Sequence, residues 1–173
     1  FIPTSFKPQR IVKFGDNYVA SNSDSGIEIL DTSGQVLHSK QVGSYGFGFD
    51  LGVTSTNKLV ARRHSHQGGG VYEQFVHIYD EGFTNEIIIS ESAQPSTSGG
   101  TTPAAAFWCN ETLANSAGFE IFGADILVSA PKASSDTVNE SGAIYRYNDS
   151  GVLQEIFYGT VASQRLGTDI TLS

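Results

Sequence analysis

The sequence predicts an all-β fold of the β-propeller kind, built from four-stranded antiparallel blades, about three complete and a fourth just begun. Three segments, starting at Gly48, Gly118 and Gly167, share a core of Gly, one residue, an acid and an aliphatic residue. The copies are 70 and 49 residues apart, and strand-like runs follow the first two. Periods of about this length with short strands indicate propeller blades.

The composition supports the same fold class. Hydrophobic residues make up 39% of the 173 residues and charged residues 16%, and there are 19 glycines. Low charge with many glycines is typical of all-β chains, whose tight turns use the positive φ that glycine adopts readily. The formal net charge of −8 disfavours a nucleic-acid backbone or an anionic membrane surface as a partner.

The cysteine count excludes disulfide-stabilised and cysteine-zinc folds, and the hydropathy excludes a membrane-spanning segment. The single cysteine, Cys109, permits neither an internal disulfide nor a cysteine zinc cluster. The longest aliphatic stretch is Ile87-Ile88-Ile89, far short of the roughly 18 residues that a membrane span needs. Because the chain lacks methionine and opens a further unit near its end, we expect it to be part of a longer array.

The first predicted blade covers residues 10–44, after a lead-in of residues 1–9. Apolar runs separated by turn residues predict four strands, at residues 11–12, 18–20, 26–30 and 36–37. In its last turn we expect the Asp31 carboxylate to accept hydrogen bonds from nearby backbone amides. Gly34 is expected to adopt a left-handed conformation there.

The second and third predicted blades cover residues 45–90 and 110–160, and residues 161–173 open a fourth. Strands are predicted in the second at residues 47–51, 59–61, 71–79 and 86–90, and in the third at residues 119–122, 125–129, 143–147 and 152–158. Turns beginning at Asp80 and Asn148 match the Asp31 turn. The same hairpin turn is therefore expected three times.

Residues 91–109 are predicted to be a low-complexity insertion between the second and third blades. Ser, Thr, Gly, Pro and Ala dominate residues 91–106, which therefore bury too little apolar surface to offset the entropy of ordering. A mobile loop is the expected form, because similar strands resume beyond it. A domain linker is the alternative.

The units resemble the FG-GAP repeats of integrin α-subunit propellers and their bacterial and phage relatives. The third unit matches best, with the run from Gly123-Ala124-Asp125 to Ala130-Pro131 and then Gly142-Ala143-Ile144-Tyr145. The second matches more loosely, through Phe47-Gly48 and Gly70-Val71. The resemblance implies a propeller whose blade loops carry adhesion or scaffolding contacts.

The chain departs from the family at its calcium loops. Many FG-GAP blades carry Asp-x-Asn-x-Asp-Gly between their first two strands, where this chain has Thr-Ser-Thr-Asn (residues 54–57) and Phe-Gly-Ala-Asp (residues 122–125). Neither run offers three or more oxygen-bearing side chains at alternate positions, as a calcium cage needs. We expect no metal and no cofactor.

The repeated acids, Asp50, Glu120 and Asp169, are expected to have a structural role. Because they recur at matched positions, a repeated task such as accepting backbone N–H bonds at a blade edge would explain them. The sequence contains neither a Gly-x-Ser-x-Gly elbow nor a His-Glu-x-x-His motif. It therefore predicts a protein that is not an enzyme.

The most distinctive local feature is the polar run Arg62-Arg63-His64-Ser65-His66-Gln67, predicted to be a loop after a second-blade strand. Loops between strands commonly carry binding function, so the predicted partner-binding residues are Arg62, Arg63, His64 and His66. A solvated loop without a partner is the simpler alternative. A metal shared by His64 and His66 is a third, although the sequence shows no third ligand.

The predicted function is a non-enzymatic interaction or structural module of a surface or virion assembly, located extracellularly, on a cell surface or on a virion. Its partners would be a protein or surface receptor, other subunits of a large assembly, or a glycan, without nucleic-acid binding or membrane insertion. The alternative is a polysaccharide-binding or polysaccharide-degrading propeller domain. That function needs convergent carboxylates and exposed aromatics, for which Tyr45, Trp108 and Tyr158 are candidates unless they pack in the core.

Overall fold

A computed structural model shows an all-β protein, as predicted. It describes residues 10–22, 26–41, 47–48, 50–68, 71–90, 118–131, 133, 135, 137–138, 140–168 and 170; for residues 22, 64–68 and 71–73 it describes the backbone alone. These residues form three four-stranded antiparallel sheets and the short 3-10 turn Glu81–Phe83. In this part of the chain no helix is long and apolar enough to cross a membrane. The predicted lead-in and insertion, residues 1–9 and 91–109, lie outside the described residues.

Sheet 1 is a meander whose neighbouring strands follow one another along the chain. Its strands are β1 (Arg10–Phe14), β2 (Asn17–Asn22), β3 (Gly26–Leu30) and β4 (Val36–Gln41). Every residue of β3 is buried, whereas β4 is almost wholly exposed. This difference fits their places in the sheet, β3 in its interior and β4 at its edge. All four predicted strands are confirmed.

Sheet 2 has the same strand order but much longer middle strands. Its strands are β5 (Leu51–Val53), β6 (Leu59–Gly68), β7 (Val71–Tyr79) and β8 (Glu86–Ser90). Two predictions are wrong here. The first strand begins at Leu51 rather than Phe47, because residues 47–48 form a turn in which Gly48 adopts a φ of 82°. Residues 62–67 are not a loop, because β6 runs through them to Gly68.

The polar character of residues 62–67 explains the second error. Sequence patterns identify strands by the alternation that a buried face imposes. Two strands paired with each other satisfy their backbone hydrogen bonds whatever side chains they carry. β6 and β7 pair from Leu59 opposite Tyr79 to Gly68 opposite Val71, with one irregularity between His66 and Gly68.

Sheet 3 confirms its four predicted strands to within one residue at each end. They are β9 (Phe119–Phe122), β10 (Asp125–Ala130), β11 (Ala143–Asn148) and β12 (Leu153–Tyr158), again in meander order. β11 alternates between buried and half-buried residues along its length. After β12 the chain returns to the start of β11, where Leu166 forms a parallel bridge with Gly142.

The chain divides into two compact units, residues 1–89 and residues 90–173. In the first unit, sheets 1 and 2 share one apolar core, formed by Phe14, Val19, Ile27, Ile29, Phe47, Leu59, Ala61 and Tyr79. β1 lies against β5, and β4 lies against the 3-10 turn. Burying each large side chain contributes about 1.5–3 kcal/mol, so this core is the main force that holds the two sheets together.

The glycine of the repeated pattern lies where the backbone approaches a neighbouring strand. A Cβ on Gly48 would lie 2.7 Å from Ser21 Cβ and 2.8 Å from Ile27 Cγ2, and Ser21 Oγ donates a hydrogen bond to the Gly48 carbonyl at 2.6 Å. In the second unit a Cβ on Gly167, whose φ is 88°, would lie 2.9 Å from the Ala143 carbonyl oxygen. Both positions combine a positive φ with a close contact, which only glycine satisfies.

Two of the three predicted turns have the same geometry. Asp31 Oδ1 accepts from the amides of Ser33 at 2.8 Å and Gln35 at 2.9 Å, and Asn148 Oδ1 accepts from the equivalent amides of Ser150 and Val152. A hydrogen bond from the Ser33 hydroxyl, followed by the Gln35 amide, lowers the pKa of Asp31. Gly34 and Gly151 adopt the expected positive φ.

The third turn differs from the prediction. The Asp80 turn is one residue longer and contains the 3-10 turn, with positive φ at Gly82 and Phe83. The Asp80 carboxylate accepts hydrogen bonds from the side chains of Lys58 and Asn85. The extra residue moves the carboxylate toward side-chain donors.

Candidate interaction site

The four predicted partner-binding residues lie on β6, in the half of the strand that extends beyond β5. β5 pairs with β6 as far as Ala61. Arg62 lies opposite Val76, Arg63 opposite Phe75, His64 opposite Gln74 and His66 opposite Tyr72. We call residues 63–68 and 71–75 the ribbon, because along them β6 and β7 continue as a paired hairpin past the end of β5.

Arg62 lies at the base of the ribbon and is buried, with 7% of its surface exposed. Its Nε is 3.0 Å from Asp50 Oδ2, and Arg10 Nη2 lies 3.5 Å from Asp50 Oδ1. Burial lowers the pKa of Arg62, and the charge of Asp50 opposes this effect. Arg62 therefore anchors β6 and presents little surface to a partner.

Asp50 has a structural partner, but a different one from the partner expected. The prediction was that this acid would accept backbone N–H bonds, whereas its carboxylate lies against two arginine side chains. Its carbonyl oxygen accepts the Arg62 amide at 3.0 Å. Asp50 thus holds Arg62 through both main chain and side chain. Asp169 of the same pattern lies outside the described residues.

Arg63 is half-buried and stacks on Phe75, the residue opposite it. The guanidinium carbon lies 4.9 Å from the centroid of the Phe75 ring, within the range of a cation–π interaction. For His64 and His66 the structure describes only the backbone, so the metal hypothesis stays a prediction. Among the residues whose side chains are described, no group of three or more His, Cys, Asp or Glu could hold a metal ion.

Below the ribbon an aromatic row continues along the same face of β7. Phe75 and His77 have ring centroids 6.2 Å apart, and His77 and Tyr79 stack at 5.9 Å with an angle of 13° between their planes. Phe47 packs edge-on against His77 at 5.3 Å, and Phe83 packs edge-on against Tyr79 at 5.4 Å. The row joins the base of the ribbon to the core between sheets 1 and 2.

The most distinctive electrostatic feature is a polar network that sequence reasoning missed. Glu86 Oε1 lies 2.9 Å from His77 Nδ1 and accepts a hydrogen bond from the Tyr79 hydroxyl at 2.5 Å. Glu86 Oε2 accepts from Lys40 Nζ at 3.2 Å. Tyr79, His77 and Glu86 belong to sheet 2, whereas Lys40 lies on β4 of sheet 1. The network therefore joins the two sheets.

Burial and hydrogen bonding shift the acidities of this network. Burial lowers the pKa of His77, although its hydrogen bond to Glu86 opposes the shift. Burial alone would raise the pKa of Glu86, but hydrogen bonds from Tyr79, His77 and Lys40 outweigh it and lower the pKa to about 2. Burial, followed by the Glu86 hydrogen bond, raises the pKa of Tyr79.

Part of this network could have been found from the sequence. His77 and Tyr79 are two residues apart in a predicted strand, so they had to share a face. The missing information was the position of Lys40 and Glu86, which lie on other strands. The chemistry that these groups support is ion pairing between strands.

No protein-family model matches the chain, and no curated protein matches it. The resemblance to FG-GAP repeats therefore rests on the residues and motifs quoted above.

Proposed function

We propose that this chain is a non-enzymatic interaction or structural module, made of FG-GAP-like propeller blades, in an extracellular, cell-surface or virion assembly. The ribbon is its contact element, and its partner is a protein, either a receptor or another subunit of the assembly. The observation that carries the proposal is the ribbon itself, a paired hairpin that extends past β5 from a buried, ion-paired base.

The arrangement of the first unit supports the propeller part of the proposal. Propeller blades are four-stranded meanders packed face to face, with first strands near first strands. Sheets 1 and 2 share a core, β1 lies against β5, and the edge strand β4 lies against the turn between β7 and β8. Sheet 3 has the same strand order.

The base of the ribbon supports its role as a contact element. Binding elements work best when rigid neighbours hold them in place. The Arg62–Asp50 ion pair and the Arg63–Phe75 stack fix both strands where the ribbon begins. The ribbon itself carries one arginine, one glutamate and two histidines. A polar surface on the partner would fit this composition.

The test is a variant in which residues 64–74 are replaced by Asn-Gly, a dipeptide that favours a two-residue hairpin turn. The variant keeps Arg62, Arg63 and Phe75, so its fold should survive, which circular dichroism and the urea midpoint will check. We expect its incorporation into the native assembly to fall at least about tenfold, as loss of a central contact would produce. Arg165→Gln, at an exposed arginine of the second unit, is the control and should incorporate normally.

Normal incorporation of the shortened variant would contradict the proposal. A glycan array distinguishes the proposed protein-binding function from the polysaccharide alternative. Glycan binding that survives removal of the ribbon would favour that alternative, while an absence of glycan binding together with lost incorporation would favour a protein partner.

A further inference from the structure

We propose that Lys40, His77, Tyr79 and Glu86 form an acid-sensitive clasp, which holds the edge of sheet 1 on sheet 2 and loosens when His77 takes up a proton. The inference is independent of the proposed function. It rests on the position of one buried imidazole, hydrogen-bonded to the carboxylate that also binds Lys40.

Lys40 is the part of the clasp that belongs to sheet 1. Its Nζ donates to Glu86 Oε2 at 3.2 Å and lies 5.5 Å from the centroid of the Tyr79 ring. β4, which carries Lys40, is an edge strand with mostly exposed residues. Because little apolar surface holds β4 down, its attachment to sheet 2 depends on this polar contact and on the packing of β4 against the 3-10 turn.

The site fits a neutral His77. An ionised carboxylate can only accept hydrogen bonds, so the imidazole proton lies on Nδ1, which faces Glu86 Oε1 at 2.9 Å. His77 is 1% exposed, and its Nε2 is buried without a hydrogen-bond partner. The rings of Phe47, Phe75 and Tyr79 surround it. A second proton would therefore create a buried, unsatisfied cationic donor at Nε2.

The charges around His77 also disfavour its protonation. Lys40 on β4 and Arg63 on β6 are cations, Glu86 on β8 is the only carboxylate of the network, and Tyr79 on β7 is neutral; the sheet 1 residues of the shared core are apolar. A protonated His77 would be the third cation in a network that contains one carboxylate, that of Glu86. Lys40 has 31% of its side chain exposed, so it is the cation that can leave for water. Its departure frees β4.

The direction of the pH effect follows from proton linkage. Burial lowers the pKa of His77 below its ordinary value of 6.5. An opened state, in which the imidazole meets water, therefore binds more protons than the closed state. Opening becomes more favourable as the pH falls below 6.5, and the effect levels off once the closed state also binds the proton.

Hydrogen exchange of the wild-type protein tests the clasp. We expect the protection of β4 amides, corrected for intrinsic exchange, to fall about threefold or more between about pH 7.5 and about pH 5.5. The second unit is an internal control, since all four histidines lie before residue 90, and its strands should keep their protection. Unchanged protection of β4 would overturn the proposal.

Variants assign the effect to the clasp. His77→Asn, which cannot titrate, should remove the pH dependence, whereas His38→Asn on β4 should keep it. Lys40→Gln should lower β4 protection at both pH values. The matched change Lys58→Gln, which breaks the ion pair of Lys58 with Asp80, should not. A wild-type pH dependence that persists in His77→Asn would overturn the proposal.

A direct titration covers the case in which His77→Asn fails to fold. In the wild-type protein, NMR should show that the pKa of the His77 imidazole lies below its ordinary value of 6.5. A His77 pKa at or above 6.5 would contradict the clasp.

Discussion

β7 of sheet 2 and β11 of sheet 3 place a stacked pair of rings at the same position, yet the two pairs have different neighbours. His77 and Tyr79 stack at 5.9 Å, and Tyr145 and Tyr147 stack at 6.4 Å with planes 15° apart. In both strands the second ring directly precedes the residue that begins the turn to the last strand. All four rings are buried, none more than 2% exposed.

The difference lies in where the ionic contacts go. In sheet 3, Arg146 stands between the two tyrosines in sequence and reaches Asp125 at 2.8 Å and Glu155 at 3.6 Å, both within the sheet. In sheet 2, Glu86 forms hydrogen bonds with the histidine and tyrosine of its own sheet and with a lysine of sheet 1. The ionic contacts beside the ring pair of sheet 3 therefore join strands of one sheet, whereas those beside the ring pair of sheet 2 join two sheets.

The equivalent position on the third strand of sheet 1 also carries a polar residue, Glu28. Glu28, His77 and Tyr145 each lie three residues before the residue that begins the turn to the last strand, and they pair with Ala20, Ala61 and Val128 of the second strands. All three are buried. This position on the third strand thus accepts a carboxylate, an imidazole and a phenol in the three sheets.

The largest effect is expected at Gly48, where the chain before β5 lies close to sheet 1. Gly48→Ala adds a Cβ that contacts Ser21 and Ile27 at a positive φ, so the free energy of unfolding should fall by about 3 kcal/mol. Gly167→Ala in the second unit should cost nearly as much, since it meets a carbonyl. Urea unfolding measures both.

Gly82→Ala is the control for crowding. Its φ is also positive, but its Cβ would meet no atom nearer than 3.6 Å, so the cost should be only about 1 kcal/mol. If Gly48→Ala costs no more than Gly82→Ala, the close approach of sheets 1 and 2 at Gly48 is wrong.

The next effect separates the two kinds of ionic contact. Glu86→Gln weakens hydrogen bonds to three partners on two sheets and should reduce the free energy of unfolding by about 2 kcal/mol. Glu155→Gln removes an exposed contact to Arg146 at 3.6 Å and should change it by less than about 0.5 kcal/mol. If urea denaturation shows similar losses of unfolding free energy for the two variants, the proposed difference between the ionic contacts of sheets 2 and 3 is wrong.

Acid should then destabilise the first unit through Glu86. Its pKa is lowered from 4.5 to about 2, so the unfolded chain binds this proton more readily than the folded one. The stability that the ionised carboxylate provides is present above pH 4.5 and is lost as the pH falls toward 2. Unfolding measured across this range should show a shallower loss in Glu86→Gln, and equal slopes would refute the assignment.

A smaller effect than that of Glu86→Gln is expected at the base of the ribbon. Arg63→Gln removes the cation from the Phe75 ring and should cost about 0.5–1 kcal/mol. Arg63→Lys keeps a cation there and should recover part of that loss in thermal melts. A loss above about 2 kcal/mol would mean that Arg63 does more than stack on Phe75.

Much of the fold was predictable, because alternation and turn residues carry local information. Sheet 3 and the turns at Asp31 and Asn148 follow directly from their sequences. The Asp80 turn was not predictable in detail, since Lys58 and Asn85 compete with the backbone for its carboxylate. β6 was missed beyond Ala61, because residues 62–67 are all polar and lack the apolar alternation by which a sequence pattern identifies a strand.

The contacts of the candidate site could not be predicted from the sequence. Arg62 was predicted to bind a partner, and the structure shows it buried beside Asp50. The network of His77 and Glu86 depends on Lys40 of another sheet. Such contacts between distant strands leave no periodic trace in a single sequence.

The central claim, an interaction module that works within an assembly, is tested most directly by the mass of the native particle. Light scattering and intact mass spectrometry of the protein purified from its source would measure it. The account predicts a complex several times heavier than the 18.5 kDa of this chain, with cross-links to the partner at the ribbon. A stable, cooperative monomer of 18.5 kDa without such cross-links would contradict it.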